Sequence, residues 1–305
     1  MTRIVEYAPA KLNLALAVST QIVDQRHLLN SVFTTIDLAD RLVFNYDARG
    51  RRAIDIKMTY TPGLYKVSIP KHKNIVYQAV QAFEKSCGTP LRGRLFIEVI
   101  KQIPTQAGLG GGSSDAAATL LAMQQIVGIK PSDDQLLHIA ASLGSDVGFF
   151  LQGGCAWMTD HGQIRQQSLY LPTLDVVLVK PELGLSTALV YAEFHNSDEP
   201  AADIAALAAA MSAAGDENAA SFTRKIAPLL SNNLTAAAVR LAPPVGQIIG
   251  DLSRQPGIIT AQLTGTGSAV FGLADSRDSA SRAAAHFRQQ GFWTAVCRTT
   301  PSNPQ

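Results

Sequence analysis

The sequence predicts an α/β (α+β) protein of two domains, and three observations carry that expectation. Its 305 residues, at about 150 per domain, suggest two folding units. Strand-like apolar stretches alternate with segments of helical period along the chain. A glycine-rich loop joins a strand to a helix around residue 110, and a second glycine-containing strand-turn-strand follows around residue 265.

The elements follow in order. Residues 4–18 read as strand with a break at Pro9, and Arg41 to Tyr46 as a second short strand. Asn74 to Cys87 sets Ile75, Val76, Ala79, Val80 and Phe83 at helical spacing. Arg94 to Ile100 alternates like a strand, a loop runs from Lys101 to Gly112, and Ser113 opens a helix to about Val127. Ser132 caps a further helix through Ser142, with Asp133 and Asp134 at its positive end. Phe149 to Leu151 is a short apolar segment before a strand from Cys155 to Met158. The polar stretch 160–170 is expected to separate a domain of residues 1–165 from one of 166–305. Asp175 to Lys180 reads as strand, and Ala201 to Ala214 as an alanine-rich surface helix. Residues 259–275 form the glycine-containing strand-turn-strand, Ser279 to Gln290 a helix, and the end after Arg298 a frayed tail.

Composition limits the function. Lys and Arg number 26 against 24 Asp and Glu, a net charge of +2, and charged residues make up only 16%. An average soluble protein has about 25%. This excludes the dense cationic surface of a nucleic-acid coat, and no basic amphipathic helix suggests a membrane partner. No run of about 18 uncharged apolar residues appears, and Glu6 and Pro9 stand where a secretory signal needs an apolar core. Cys87, Cys155 and Cys297 are odd in number, widely spaced and without a C-x-x-C pair, as expected of thiols in a reducing compartment. The expected location is the cytoplasm.

The strongest chemical signal is Pro104-Thr-Gln-Ala107-Gly108-Leu109-Gly110-Gly111-Gly112-Ser113-Ser114. Four glycines in five residues remove side chains from a loop that feeds a helix N-terminus, so backbone N–H groups can converge on a phosphate chain. Ser113 and Ser114 can cap that helix or offer hydroxyls to phosphate or its magnesium ion; the plainer alternative is a flexible turn with a serine cap. No Gly-Lys-Ser/Thr follows, so this is not a Walker loop. Phosphoryl transfer to an alcohol needs a base and a cation. Asp146, in Gly144-Ser-Asp-Val-Gly148, is equally a base or a turn cap on its own. Lys11 and Asn13 share one face of an apolar strand, pointing to a polar cleft or to an edge strand's solvent face.

Four segments in order, Pro9-Ala-Lys-Leu-Asn-Leu, Gly108-Leu-Gly-Gly-Gly-Ser-Ser-Asp-Ala-Ala, Leu143-Gly-Ser-Asp-Val and Leu263-Thr-Gly-Thr-Gly-Ser-Ala-Val-Phe, resemble the GHMP kinase superfamily over nearly the whole chain. Within it, the triple-glycine loop resembles the branch acting on a cytidyl-diphosphate sugar alcohol of the non-mevalonate isoprenoid pathway. The resemblance implies an S5-like N-terminal domain, a ferredoxin-like C-terminal domain and an active site between them. It implies ATP and Mg2+ as cofactors. Asp146 would be the base and Lys11 its partner. Asn13 would orient the substrate. Pro104 and Ala107 to Ser114 would bind the ATP phosphates, Ser114 also being a candidate magnesium ligand, while Asn74 would line the adenine pocket and Lys101 lie beside the nucleotide. On the acceptor side stand His27, Thr187 and Tyr191, the last stacking on cytosine, with Gly265 to Ser268, including Gly267, supporting the site.

The departures gather near the cytidine. Asp24-Gln-Arg26-His27-Leu-Leu stands where Asp-Gly-Tyr-His-Glu-Leu is usual, so Arg26 replaces a stacking aromatic; a guanidinium can stack on a base or pair with a diphosphate. Gly148 replaces a proline and should loosen the turn of Asp146. Asp160-His-Gly-Gln163 and Asn232-Asn233-Leu also depart from the pattern. The alternatives are another small-alcohol kinase of the superfamily, of homoserine or mevalonate type, and a silent nucleotide-binding regulator. A monomer and a homodimer are equally compatible with the chain.

Overall fold

The computed structural model describes residues 1–23, 26–194, 200–213 and 218–300. Asp24 of the departing motif, the expected helix end at Ala214 and the tail beyond Thr300 lie outside the described residues. The chain forms two compact units that interleave in sequence: residues 1–10, 39–104 and 110–152 make one, and residues 11–38, 105–109 and 153–305 the other. Two long strands, β1 (Thr2–Val23) and β2 (Arg26–Asp47), pair with each other and run through both. β1 passes through Pro9 without a break. Proline's restricted φ is compatible with extended backbone, and Ala8, Ala10, Leu12 and Leu14 on either side are fully buried. Arg41 to Tyr46 is only the end of β2.

In the first unit β3 (Ala53–Tyr60) runs parallel to β4 (Arg94–Lys101), which lies antiparallel to the end of β2, with Val43 opposite Glu98. Helices α1 (Ile75–Cys87), α2 (Gly111–Val127), α3 (Asp133–Leu143) and α4 (Val147–Gln152) pack on one another. The buried stripe of α1 is Val76, Ala79, Val80 and Phe83, as its period predicts. Ser132 caps α3 by accepting from the Gln135 amide. Helix α2 begins two residues before Ser113. Its buried residues begin at Ser114, and Ala116 to Ala118 in the second turn are buried small side chains.

The second unit pairs β2 with β5 (Cys155–Thr159), which pairs with β6 (Ile164–Ser168). A separate antiparallel sheet has the order β10-β7-β9-β8. It comprises β7 (Asp175–Lys180), β8 (Ile258–Leu263), β9 (Val270–Ala274) and β10 (Trp293–Arg298). Helices α5 (Thr187–Phe194), α6 (Ile204–Ser212), α7 (Ala219–Ile226), α8 (Thr235–Leu241), α9 (Pro243–Ser253) and α10 (Arg277–Gln289) complete it. Val177, Val179, Leu263 and Val270 of the sheet share one apolar core with Ile248, Leu252 and Phe287 of the helices. Helix α6 exposes Ala205, Ala209 and Ser212 and buries its other face. Ile204, Leu207, Ala208 and Met211 are buried, because an alanine-rich sequence still presents its few large side chains on one face. Phe149 to Leu151 is part of helix α4.

Candidate phosphate-binding and catalytic site

In the first unit β4 feeds the glycine loop and α2 leaves it. Gly110 is the N-cap of α2 in left-handed conformation, φ +71, and no side chain caps this helix. Ser113 and Ser114 therefore lie inside the first turn rather than capping it. The first N–H groups of a helix have no partner within it, so an uncapped start at Gly111 and Gly112 suits an anion. A Cβ on Gly111 would press on Ile103 Cγ2 at 3.0 Å, whereas one on Gly112 would meet nothing within 4 Å. The loop is tight on one side and open on the other. Ser114 Oγ is buried without a hydrogen-bond partner. As a hard oxygen donor it fits a magnesium ion that takes its other ligands from phosphate and water. Among the described residues no group of three His, Cys, Asp or Glu side chains could hold a metal by itself.

The turn of Asp146 comes up beside that helix start. A Cβ on Gly144 would stand 3.7 Å from Ser113 Oγ, and Asp146, half-buried immediately before α4, accepts from Ser145 Oγ at 3.4 Å. Gly148 sits within α4 and not in a loose turn, with space for a Cβ at 3.5 Å from Leu137. Asn74 serves as the cap of α1: its Oδ1 accepts from the Val76 amide at 3.0 Å, and its amide nitrogen faces Met58 Sδ.

Lys101 is buried and ion-paired. It is 4% exposed, and its Nζ donates to Asp40 and, at 2.6 Å, to Asp115 in the first turn of α2. Asp40 Oδ1 also accepts from the amides of Gln102 and Ile103 at 2.5 and 2.9 Å, which locks the strand end entering the loop. Two buried carboxylates thus hold the Lys101 ammonium at the strand end. Burial alone would lower the Lys101 pKa, but Asp115 and Asp40 hold it above its usual value. Burial pushes Asp115 up to about 7, with Lys101 opposing and Asp40 reinforcing. Nothing in the sequence marked Asp40, because its partner lies 61 residues away.

In the second unit the other end of the glycine loop is stitched to residues 264–268. Gly108 has φ +73, and a Cβ there would overlap the Thr264 carbonyl. A Cβ on Gly265 would be 3.0 Å from Gly108 O, and one on Gly267 would meet Leu263. Backbone bonds run from Ser268 to Gln106 and from Ala269 to Ala107, both 3.2 Å. Pro104 and Ala107 are buried at the mouth of this stitch. The Lys11 amide donates to Leu109 O at 3.0 Å, and the Asn13 amide to Thr264 Oγ1 at 3.1 Å. The shared face of Lys11 and Asn13 is real: Lys11 Nζ donates to Asn13 Oδ1 and lies 4.7 Å from the Phe33 ring centre. Asn13 Nδ2 donates to Ser31 Oγ, and Ser31 to the Ala15 carbonyl. Asn13 thus orients Lys11.

His27 and Tyr191 come together, their rings stacked with centres 5.2 Å apart, and Phe194 meets His27 edge-on. His27 Nδ1 bonds the Ser19 carbonyl at 2.7 Å. Arg26 is exposed at the start of β2. Thr187 Oγ1 and Thr266 Oγ1 are 3.3 Å apart, which joins the start of α5 to the second glycine turn. The Asn232 side-chain amide donates to Leu263 O and Gly265 O and so braces the same turn, while Asn233 accepts from the Val18 amide and donates to the Val18 carbonyl, which ties this segment to β1.

Residues 74–154 match the model of the GHMP kinases N terminal domain, and residues 217–292 that of the GHMP kinases C terminal. The 4-diphosphocytidyl-2-C-methyl-D-erythritol kinase of Desulfitobacterium hafniense (strain Y51) is 33% identical over 96% of this chain and 94% of its own. The chain belongs to the 4-diphosphocytidyl-2-C-methyl-D-erythritol kinase family of GHMP kinases. It is a kinase, an ATP-using phosphotransferase. The family member from Acidovorax ebreus (strain TPSY) is 39% identical over 87% of this chain and 85% of its own. A crystal structure of 4-(cytidine 5'-diphospho)-2C-methyl-D-erythritol kinase superposes with a TM-score of 0.76 at 32% identity, covering 96% of this chain and 99% of that one. Homoserine kinase from Cytophaga hutchinsonii shares the fold, with a TM-score of 0.71 at 17% identity over 99% and 95% of the two chains. Among the described residues no helix is long and apolar enough to cross a membrane.

Proposed function

We propose that the protein transfers the γ-phosphoryl group of ATP to the 2-hydroxyl of 4-diphosphocytidyl-2-C-methyl-D-erythritol, in the non-mevalonate route to isoprenoid precursors. The observation that carries this is the uncapped glycine start of α2 with the Asp146 turn beside Ser113: an anion seat next to a carboxylate. Asp146 takes the proton of the hydroxyl as its oxygen bonds to Pγ and the bond from Pγ to the bridging oxygen breaks, releasing ADP. Lys11, oriented by Asn13, acts as the partner of Asp146 and steadies the reacting oxygen. Backbone N–H groups between Gly108 and Ser113, with the Ser114 hydroxyl, receive the phosphates. Mg2+, with Ser114 Oγ as one ligand, would neutralise phosphate charge. His27, Tyr191 and Thr187 form the acceptor side with Gly265 and Gly267, and the exposed Arg26 guanidinium faces the cytosine or its diphosphate.

The domain boundary near residue 165 is proposed in the same sense; the two family matches fall on either side of it. A cytoplasmic setting is supported by three free cysteines, two of them buried with pKa values pushed up by desolvation, Cys155 to about 12. The test is ADP release with the cytidyl substrate, homoserine and mevalonate side by side. Turnover with the first alone is expected. Turnover with either of the others, and none with the first, would overturn the assignment.

A further inference from the structure

Lys180, the last residue of β7, takes no part in the chemistry above, yet it is buried, 6% exposed. Its ammonium turns back on the chain that follows and donates to three successive carbonyls, Pro181 at 2.9 Å, Glu182 at 3.4 Å and Leu183 at 3.3 Å. The Leu183 carbonyl also accepts from Ser268 Oγ at 2.5 Å. Two residues further on, the Leu185 amide donates to the Gln106 carbonyl at 3.4 Å, the same oxygen that accepts from the Ser268 amide. Gln106 itself has φ +51, a left-handed conformation uncommon outside glycine. A side chain at Gly184 would collide with Gln106. Segment 181–186 is thus held from two sides, by one cation over its carbonyls and by a backbone junction with the two glycine turns. It ends at Thr187, the first residue of α5, with Tyr191 one turn later.

We propose that Lys180 is a positioning residue for the acceptor substrate, shaping segment 181–186 so that Thr187 and Tyr191 are delivered at the right height against the glycine turns. Three carbonyl oxygens converging on one point repel each other, and without the ammonium they would turn outward to water and carry the start of α5 with them. Burial pushes the Lys180 pKa down, with Glu182 opposing; several carbonyl acceptors and few waters are what a buried ammonium in structural use requires. The proposal rests on Thr187 and Tyr191 belonging to the acceptor side.

The experiment measures binding and needs no turnover. Cytidine diphosphate probes the acceptor side and the non-hydrolysable analogue AMP-PNP, with Mg2+, the phosphate loop; both are titrated calorimetrically into the full-length protein. Lys180→Met should weaken cytidine diphosphate binding about tenfold and leave AMP-PNP within about twofold, and Lys180→Arg, which can still donate to carbonyls, should recover most of the loss. Unchanged cytidine diphosphate affinity in folded Lys180→Met overturns the proposal, as does equal weakening of both ligands. Should Lys180→Met fail to fold, Gly184→Ala disturbs the same segment from its Gln106 side. Selective loss of cytidine diphosphate then supports the proposal, and unchanged binding overturns it. Failure of the wild type to bind cytidine diphosphate instead removes the acceptor assignment on which the proposal stands.

Discussion

Lys11 and Lys101 are equally buried, each 4% exposed, and both carry motif assignments to ligands, yet their surroundings differ in kind. Lys11 meets the amide oxygen of Asn13 and the ring face of Phe33. Lys101 lies between the carboxylates of Asp40 and Asp115, which cancel its charge. The pair of carboxylates suits a cation that holds a strand end to a helix start. Both lysines also draw neighbours from distant parts of the chain, Phe33 for Lys11 and Asp40 for Lys101.

The contrast breaks most visibly at Lys101. Lys101→Met leaves two buried carboxylates without their cation and should cost about 3–5 kcal/mol of stability, read from urea unfolding; a loss below about 1 kcal/mol would show that the pair is neutralised some other way. The same cluster has a pH signature. The folded pKa of Asp115, about 7, lies above the ordinary 3.8, so the folded state holds this proton more tightly than the unfolded chain. Its contribution to stability is complete below about pH 4 and is lost as pH rises through about 7. Across that window the unfolding free energy should fall by up to about 1.4 kcal/mol per pH unit, and Asp115→Asn should flatten the slope.

On the Lys11 side the effect moves from stability to rate. Lys11→Met and Asp146→Asn should each lower turnover by about 10²–10⁴-fold, while urea midpoints shift far less than for Lys101→Met. Near-normal turnover in either would remove that residue from the chemistry. A smaller effect tests the amide network of the second unit. Asn233 donates and accepts with Val18, and Asn233→Asp sets a carboxylate against the Val18 carbonyl, costing about 1–3 kcal/mol. The smallest effect has the opposite sign: Gly148→Ala adds a Cβ at ordinary contact distance from Leu137 inside α4 and should stabilise by up to about 1 kcal/mol.

Local pattern carried much of this into view. The cap at Ser132, the stripe of α1 and the strand-loop-helix around the glycines all depend on residues a few positions apart, and all stand in the structure. Misreadings arose where tertiary context overrides local preference. Pro9 is carried inside β1, and Gly148 lies in helix rather than turn.

By itself the sequence determined the chemistry available: four glycines ahead of a helix start, an aspartate in a tight turn, a lysine and an asparagine on one strand face. Those are short-range facts, set by backbone geometry and side-chain period. Only the tertiary structure decided how each buried cation is used. Phe33 meets Lys11 from another strand, Asp40 meets Lys101 across 61 residues, and Ser268 meets the Leu183 carbonyl that Lys180 holds. Each follows from chain folding that no local pattern encodes, because the energy of a buried charge depends on every group that surrounds it.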